Sequence, residues 1–443
     1  MRLGFLPRGL LLVCALMGGC RFPELPPLDE TDATTDGPGS GDAGPDASRA
    51  CAPDTITCDA AQALYTECSS AGIVSFQMRC PLGCATGAVK CLDVDPSNGL
   101  AMYLDMAAEA PDLVMSGQSV INTSDGSILV GAIAVQVPTF LTSDGIRVFV
   151  VRSLTLDGVA TVERRYTAAK LAFVSDRDVV IRGRLDISAD GTQGGAGGNW
   201  GGDQGSKGAC AGRWPAQSGP GAGGAGGGEP GAPGGPTSAH QGAAGGSTNV
   251  ASEPLHGGCE GGSVLDGANS VGGGGGGGLQ ISSRTQIQLL DSGIIDASGG
   301  GARHGASGGV RIAGAGGGAG GNVILEAPQV VLDGPSVVIS TKGGGGAGAS
   351  STVTSSGTDG GYDAPRAAGG TSSIQSHGGA GGNGTQPPGA GLNGGCSDCQ
   401  GGGGGGAAGM TVFRNLAGAI APQNGAAIRS KTTTTPIRTR QVP

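Results

Sequence analysis

Large side chains are scarce in this sequence. Aromatic residues make up 3% and charged residues 14% of the 443 residues, whereas glycine alone occupies 95 positions. Aromatic and branched aliphatic side chains provide most of the buried area of a globular core, so this chain cannot fill a wide core. The composition predicts a body that is thin, repetitive or partly disordered, although the length would suit two or three ordinary domains.

Basic residues and long apolar runs are also lacking. The net charge is -9, whereas a nucleic-acid-binding surface requires clustered Lys and Arg, so we expect no nucleic-acid partner. The apolar stretch from Gly9 to Met17 is shorter than the roughly 20 residues of a membrane-spanning helix. It follows Arg2 and Arg8 and ends at two glycines, which predicts a secretory signal peptide over residues 1–19.

The residue that directly follows the predicted signal peptide is Cys20. The residues around it resemble the lipobox of bacterial lipoproteins, although Met17 stands where Leu is usual. The resemblance implies that Cys20 is diacylated and becomes the first residue of the mature chain. The alternative is an ordinary signal peptide with an incidental cysteine. We expect a membrane partner through this lipid anchor, and a location in the cell envelope, at the outer membrane or cell surface.

The chain from Arg21 to Ala50 contains five Pro and seven acidic residues. Such a composition cannot bury enough surface to offset chain entropy, which predicts a disordered tether over residues 20–50.

Six cysteines follow within about 41 residues, too few for a self-sufficient hydrophobic core, so crosslinks are expected to replace one. A metal site is the weaker alternative, because paired C-x2-C knuckles and His are absent there. Asp59 could cap a short helix through Thr66, and the alternation of Val74, Phe76 and Met78 predicts a strand. Six cysteines allow 15 pairings, and the spacing does not choose among them. The predicted disulfide cysteines of this module, residues 51–91, are Cys51, Cys58, Cys68, Cys80, Cys84 and Cys91.

Residues 92–190 are rich in β-branched residues between DG turns, which predicts strands. Beyond them, the region from Gly191 to Met410 holds 75 of the 95 glycines. Two apolar islands within it, Leu279 to Ser298 and Val323 to Ser340, share one layout, and self-similar strands indicate a solenoid. The predicted fold class is mainly β, with parallel β-solenoid-like repeats, the first of them in 92–190, and long Gly-rich insertions through 191–422.

The state of the Gly-rich insertions stays open. Glycine loses the most conformational entropy on ordering, so a disordered loop is the default expectation. The alternative is polyglycine-II packing, with three residues per turn and neighbours that lack side chains. This arrangement resembles the Gly-rich domains of some receptor kinases and phage adhesins. A strict Gly-X-Y period is absent, which excludes collagen. Residues 423–443 are expected to form a disordered tail.

Few residues of this sequence are candidates for catalysis or metal binding. Cys210, Cys259, Cys396 and Cys399 are expected to form structural disulfides, since export favours oxidation. For Cys396 and Cys399 the alternatives are a redox-active pair, or half of a zinc site that adds Cys210, Cys259 or His256. No P-loop and no repeated calcium-binding nonapeptide occurs, so no cofactor and no metal are predicted. Asp186, Asp291, Asp296 and Asp333 are interpreted as turn or strand-end residues.

An enzymatic alternative depends on one strand. Arg182, Arg184 and Asp186 alternate, so they could project to one side and serve a polysaccharide lyase or hydrolase on a β-helix. The other interpretation is the solvated face of an amphipathic strand, with no catalytic residue. A surface polysaccharide or another cell is the expected adhesive partner. The aromatic residues of the Gly-rich region that could grip it are Trp200, Trp214 and Tyr362.

The Cys-rich module behind the lipobox and the Gly-rich body resemble surface lipoproteins of myxobacteria and their relatives, and the glycine content resembles PE-PGRS proteins in composition only. The resemblance implies a non-enzymatic envelope protein with a structural or adhesive role.

Overall fold

A computed structural model describes residues 51–442 except 166–167, 203–208, 217, 265–269, 306–311, 350–355, 373–374 and 394–399. The predicted signal peptide, the lipidated Cys20 and the tether lie outside the described residues. From Cys51 onward the chain forms one compact unit. Among the described residues, no helix is both long enough and apolar enough to cross a bilayer.

The cysteine-rich module is a three-stranded antiparallel sheet of β1 (Ile56–Asp59), β2 (Leu64–Cys68) and β3 (Val74–Arg79). The strand predicted from the alternation of Val74, Phe76 and Met78 is confirmed as β3. The short helix expected after Asp59 is wrong. The Asp59 side chain accepts hydrogen bonds from the backbone N–H groups of Ala61 and Gln62, and so it starts the turn of the β1–β2 hairpin.

Four disulfides join eight of the predicted cysteines. Three of them replace an apolar core in the small module, and the fourth spans 49 residues of the Gly-rich region. The pairs are Cys51–Cys68, Cys58–Cys84, Cys80–Cys91 and Cys210–Cys259. Cys396 and Cys399 lie outside the described residues.

After the module come strand β4 (Cys91–Val94), helix α1 (Ala101–Met106) and a 3-10 helix (Ala107–Glu109). Leu100, Leu104 and Ala107 pack on the outer face of the first of the large sheets described below. This sheet is therefore buried on both faces, which explains why its strands are continuous apolar runs rather than alternating ones.

Three large sheets, mainly parallel, form the rest of the strand-built body. The first contains β9 (Thr139–Leu141), β10 (Ile146–Val151), β13 (Lys170–Ser175), β16 (Leu279–Ser283), β19 (Asn322–Glu326), β22 (Met410–Asn415) and β24 (Lys431–Pro436). The second contains β5 (Leu113–Met115), β11 (Leu154–Leu156), β14 (Val179–Ile181), β17 (Gln286–Leu290) and β20 (Gln329–Asp333). The third contains β6 (Gln118–Asn122), β7 (Ser127–Val130), β8 (Ile133–Val135), β12 (Val159–Val162), β15 (Arg184–Asp186), β18 (Ile294–Asp296), β21 (Val338–Ser340) and β23 (Ala427–Arg429).

Successive strands visit the three sheets in turn. β13, β14 and β15 supply one strand to each sheet, and so do β16 to β18 and β19 to β21. The two islands predicted to be repeats are paired in parallel register, with Ile281 opposite Leu325 and Leu289 opposite Leu332. Equivalent side chains therefore stack on one another from strand to strand, which confirms the predicted mainly β, parallel architecture.

One apolar core lies between the three sheets. Each sheet contributes inward side chains that are almost completely buried, such as Phe173 from the first, Leu289 from the second and Ile295 from the third. The rings of Phe149 and Phe173, on adjacent strands, have centroids 5.6 Å apart. Short strands with alternating burial, of the pattern buried–intermediate–buried in β11 and β14, suit this narrow interior.

The described glycine-rich segments between Gly191 and Gly409, here called the glycine block, are ordered. Residues 221–227 donate backbone hydrogen bonds to three neighbouring segments in strict rotation. Gly221 and Gly224 donate to residues 229–235, Ala222 and Ala225 to 314–317, and Gly223 and Gly226 to 210–213. The carbonyl oxygens of the same segment accept hydrogen bonds from further segments. The backbone N–H groups of Ala243, Gly404 and Gly262 donate to the first three of these oxygens in turn.

A hydrogen-bond period of three with neighbours on all sides is the pattern of polyglycine-II packing. Its closest approaches require glycine, because a Cβ at Gly224 would lie 1.9 Å from the carbonyl oxygen of Gly405. The disordered loop is thus wrong for the described segments, and the ordered alternative is confirmed. The backbone hydrogen bonds satisfied on several sides offset the ordering entropy that favoured disorder.

The chain end is also ordered, so the predicted disordered tail is wrong. Strand β24, with its run of threonines, extends the first sheet beside β22, because β-branched residues fit a pleated surface. Strand β25 (Thr439–Val442) pairs antiparallel with β4. Arg440 completes this contact through ion pairs with Asp93 and Asp105.

Candidate functional site

A group of ten polar side chains lies where the third sheet meets the glycine block. A cavity of about 250 Å3 opens beyond the carboxyl ends of β15 and β18. Two arginines, five aspartates, two serines and one tyrosine contribute to its lining. They are Arg164, Arg184, Asp186, Ser188, Asp190, Asp296, Ser298, Asp359, Tyr362 and Asp363.

Parallel register brings the two innermost carboxyl groups together. Asp186 of β15 lies opposite Asp296 of β18, and Asp296 lies opposite Ser340 of β21. The three residues end their strands at one edge of the sheet because the repeats are stacked without offset. The interpretation of Asp186 and Asp296 as strand-end residues is confirmed, and both are buried, with 6% and 1% of their surface exposed.

Asp186 is neutralised on every side. The Arg184 guanidinium donates to its Oδ2 at 2.5 Å, and Arg164 lies 3.6 Å from the same atom. The backbone N–H and the hydroxyl group of Ser188 donate to Oδ1 at 3.0 and 2.6 Å. This explains how a buried carboxylate is tolerated, since its charge is both paired and hydrogen-bonded.

Asp296 has a different environment. It accepts two longer hydrogen bonds, both 3.2 Å, from the backbone N–H groups of Ser298 and Tyr362. It forms no ion pair with a described residue. Burial raises its pKa above the ordinary value, and the neighbouring negative charge of Asp186 raises it further. Two carboxyl groups on adjacent strands are therefore held in unlike environments.

The segment 359–364 forms the opposite wall. The Asp359 carboxyl group accepts backbone hydrogen bonds from Gly191 at 3.0 Å and Gly301 at 2.7 Å, which fixes it to the glycine block. Desolvation raises the pKa of this carboxyl group, although the residue keeps an exposed surface. The Arg184 guanidinium lies 4.8 Å from the centre of the Tyr362 ring, a cation–π contact that joins the two walls.

Lys342 is hydrogen-bonded to the segment 359–364. Its ammonium group donates to the carbonyl oxygen of Ala364, and the residue is completely buried. Burial first, and then the positive charge of Arg429, lower the pKa of Lys342 to about 8. Nearby Asp296 and Asp363 oppose part of this shift.

A second cavity of about 530 Å3 adjoins the first. The two cavities share Asp190 and Asp359 as lining residues. The second is lined by residues 190–193, 301–303 and 356–359. Together they form a groove along the junction of the third sheet and the glycine block.

The structure separates the three residues predicted to share one side of a strand. Arg184 and Asp186 lie together in β15, but Arg182 precedes the strand and forms ion pairs with Asp157 and Asp291 at the surface. The solvated face expected for these residues is wrong for Asp186, which is buried. Asp291 is confirmed as a turn residue, with a φ of 57°, and Asp333 ends β20.

Metal-binding geometry is found at one place among the described residues. The sulfur atoms of Cys58, Cys80 and Cys84 lie within 4.8 Å of one another, but all three belong to disulfides. The disulfide between Cys210 and Cys259 likewise removes both thiols from the zinc site considered with His256. The acidic residues of the groove do not converge closely enough to form a comparable cluster.

Sequence reasoning named Asp186 and Tyr362 but missed the contributions of Asp359 and Lys342. Both lie in Gly-rich stretches far from Asp186 in the chain, and the packing of the glycine block brings them to the strand ends. The sequence feature that could have indicated the site is the equivalent position of Asp186 and Asp296 in the repeated segments. Trp200 and Trp214, the other aromatic residues predicted to grip a ligand, do not line the groove.

No protein-family model, no curated protein and no solved structure matches this chain.

Proposed function

We propose that this chain is a non-enzymatic lipoprotein of the cell envelope with a structural or adhesive role at the surface. The leader that ends at Cys20 and the acidic, proline-containing stretch behind it support a lipid anchor followed by a tether. Four disulfides in the described chain agree with an oxidising compartment outside the cytoplasm. The resemblance to myxobacterial surface lipoproteins belongs to this proposal.

The architecture within this proposal is a parallel β-solenoid. Its support is the order in which strands visit the three sheets, together with the single core that all three sheets line. In a solenoid each coil buries its apolar face against the coils before and after it, which is how a chain poor in large side chains can build a core.

The observation that carries the proposal is the hydrogen-bonded order of the glycine block. Residues 272–278, 314–321 and 401–409 each lead directly into a strand of the first sheet, and they hydrogen-bond to neighbouring glycine segments along the way. Glycine is an unfavourable choice for a catalytic loop that must hold side chains, but it suits a stiff body built from backbone. A stiff body on a tether fits a surface role.

A second candidate function is an exported polysaccharide lyase or hydrolase. The observation in its favour is the pair Asp186 and Asp296, two buried carboxyl groups on adjacent strands with different hydrogen-bonding environments. A carboxyl group that keeps its proton, as burial favours for Asp296, is what a general acid requires. The two arginines that saturate Asp186 argue against its use as a base or nucleophile.

The anchor is tested by expressing the full chain with radiolabelled palmitate and fractionating the cells. We expect label in the envelope fraction, and loss of both label and membrane association on Cys20→Ala. Cys14→Ala is the matched control, because this residue leaves with the leader. Label that persists in Cys20→Ala would contradict the anchor. Release of reducing ends from polysaccharides, abolished by Asp186→Asn, would replace the structural role with the enzymatic one.

A further inference from the structure

We propose that the groove between the third sheet and the glycine block binds a neutral oligosaccharide. This inference rests on the adhesive half of the proposed function and assigns it a site and a ligand class. The ligand would lie along the two adjoining cavities, with one sugar ring beside Tyr362 and the next beyond Asp359.

The size and continuity of the groove favour a chain of small rings over a single bulky ligand. The first cavity, of about 250 Å3, is smaller than the roughly 300–1,000 Å3 of pockets that enclose drug-sized ligands. The second cavity, of about 530 Å3, continues it across the shared residues Asp190 and Asp359. A linear molecule that repeats one ring can occupy both cavities at once.

The polar groups of the first cavity match hydroxyl groups. A hydroxyl both donates and accepts a hydrogen bond, so vicinal hydroxyls are best met by donors and acceptors side by side. Arg164 and Arg184 offer fixed donors there, and Asp363 and Asp359 offer acceptors. Both backbone hydrogen bonds to Asp359 reach Oδ1, and no described residue donates to its Oδ2. This atom therefore remains available at the junction of the two cavities.

The charge of the lining selects among saccharides. An acidic sugar would bring its carboxylate against five aspartates and only two arginines, both of which are ion-paired with Asp186. A sugar without charge avoids this repulsion and can still bond to every group named above. The half-buried Tyr362 ring adds an apolar surface for the C–H groups of a sugar ring.

Isothermal titration calorimetry of the folded protein tests the proposal, with cellotetraose, maltotetraose and chitotetraose as neutral probes and tetragalacturonate as the acidic probe. We expect at least one neutral probe to bind and tetragalacturonate to bind at least 10-fold more weakly. Asp359→Asn keeps the Oδ1 acceptor but replaces Oδ2 by a donor, and should weaken binding about 10-fold. Asp144→Asn, a change at an exposed loop residue away from the groove, is the matched control and should bind as wild type.

Three outcomes would overturn the groove as the site or the class of its ligand. They are binding by no neutral probe, equal or tighter binding of tetragalacturonate, and full affinity in Asp359→Asn. If Asp359→Asn loses its thermal unfolding transition, the exposed Asp363→Asn takes its place, with the same expected weakening. Reducing ends released during the titration would contradict the non-enzymatic role and leave the groove intact. Absence of the protein from the cell surface would contradict the surface role alone.

Discussion

In the three sheets, apolar side chains from neighbouring strands fill the interior, whereas in the glycine block backbone packs directly against backbone. Phe149, Phe173 and Phe413 are completely buried between the sheets. In the glycine block, by contrast, a Cβ added to Gly224 would lie 1.9 Å from a carbonyl oxygen. One chain thus uses two kinds of close packing, and each tolerates a different class of substitution.

The difference has an energetic origin. Burial of apolar area stabilises the sheets at about 25 cal/mol per Å2, but glycine has no side chain to bury. The glycine block depends instead on backbone hydrogen bonds that are satisfied on several sides, and on the close approach that lets each group find a partner. We expect removal of side-chain atoms to destabilise the sheets more than the glycine block. Addition of side-chain atoms should destabilise the glycine block more than the sheets.

The largest effect is expected from removal of atoms in the sheets. Phe173→Ala should lower the free energy of unfolding by about 3–5 kcal/mol, because it leaves a cavity in a fully buried core. Phe173→Leu keeps most of the volume and should cost about 1 kcal/mol. Urea unfolding followed by circular dichroism measures both changes. Equal losses for the two variants would contradict tight packing of the sheets.

The opposite change tests the glycine block. Gly224→Ala should destabilise the protein by about 3 kcal/mol, because the added methyl group meets backbone that cannot move aside. Its neighbour Ala225→Gly is the matched control. It removes a buried methyl group from the same segment and should cost about 1 kcal/mol. If Gly224→Ala were as stable as wild type, the close packing described for this segment would be wrong.

The disulfide of the glycine block is expected to stabilise the protein by restricting the unfolded chain. Removal of the Cys210–Cys259 bond, which closes a 49-residue separation, should cost about 2–4 kcal/mol. The double variant Cys210→Ala, Cys259→Ala is compared with wild type by its thermal unfolding midpoint. Each single variant also lacks the bond, so its midpoint should fall as well. A midpoint that does not fall would show that the glycine block already restrains the unfolded chain.

The smallest effect concerns the wall of the groove and depends on pH. The pKa of Lys342 is lowered in the folded protein to about 8 from its ordinary 10.5. Between these values the unfolded chain binds more protons than the folded one, so stability should rise as the pH rises through this window. We expect a gain of about 2 kcal/mol relative to Lys342→Met, which lacks the titrating group. If the free energies of unfolding of the two proteins changed in parallel with pH, the lowered pKa of the buried Lys342 amine would be wrong.

The fold could be predicted from sequence where repeats were visible. The shared layout of Leu279 to Ser298 and Val323 to Ser340 predicted stacked parallel strands, and the register of Asp296 with Ser340 confirms it. The tail was missed because its threonines acquire a partner only when β22 lies beside them. The helix expected after Asp59 was missed because an Asx turn and a helix N-cap begin with the same hydrogen bonds.

The candidate site could be predicted only in part. Asp186 and Arg184 were recognised from their spacing, but Asp359, Tyr362 and Lys342 reach the site through the packing of Gly-rich segments. That packing depends on hydrogen bonds between segments up to about 180 residues apart, such as those joining Ala222 to Gly314 and Gly404. No local pattern in the sequence records which glycine segment lies beside which.

Amide hydrogen exchange of the glycine block tests the central claim most directly. The claim predicts that the amides of residues 221–228 and 401–407 exchange as slowly as those of β16 and β19, because each is hydrogen-bonded within a dense array. Exchange of these amides at the rate of an unfolded chain, with β16 and β19 still protected, would contradict it.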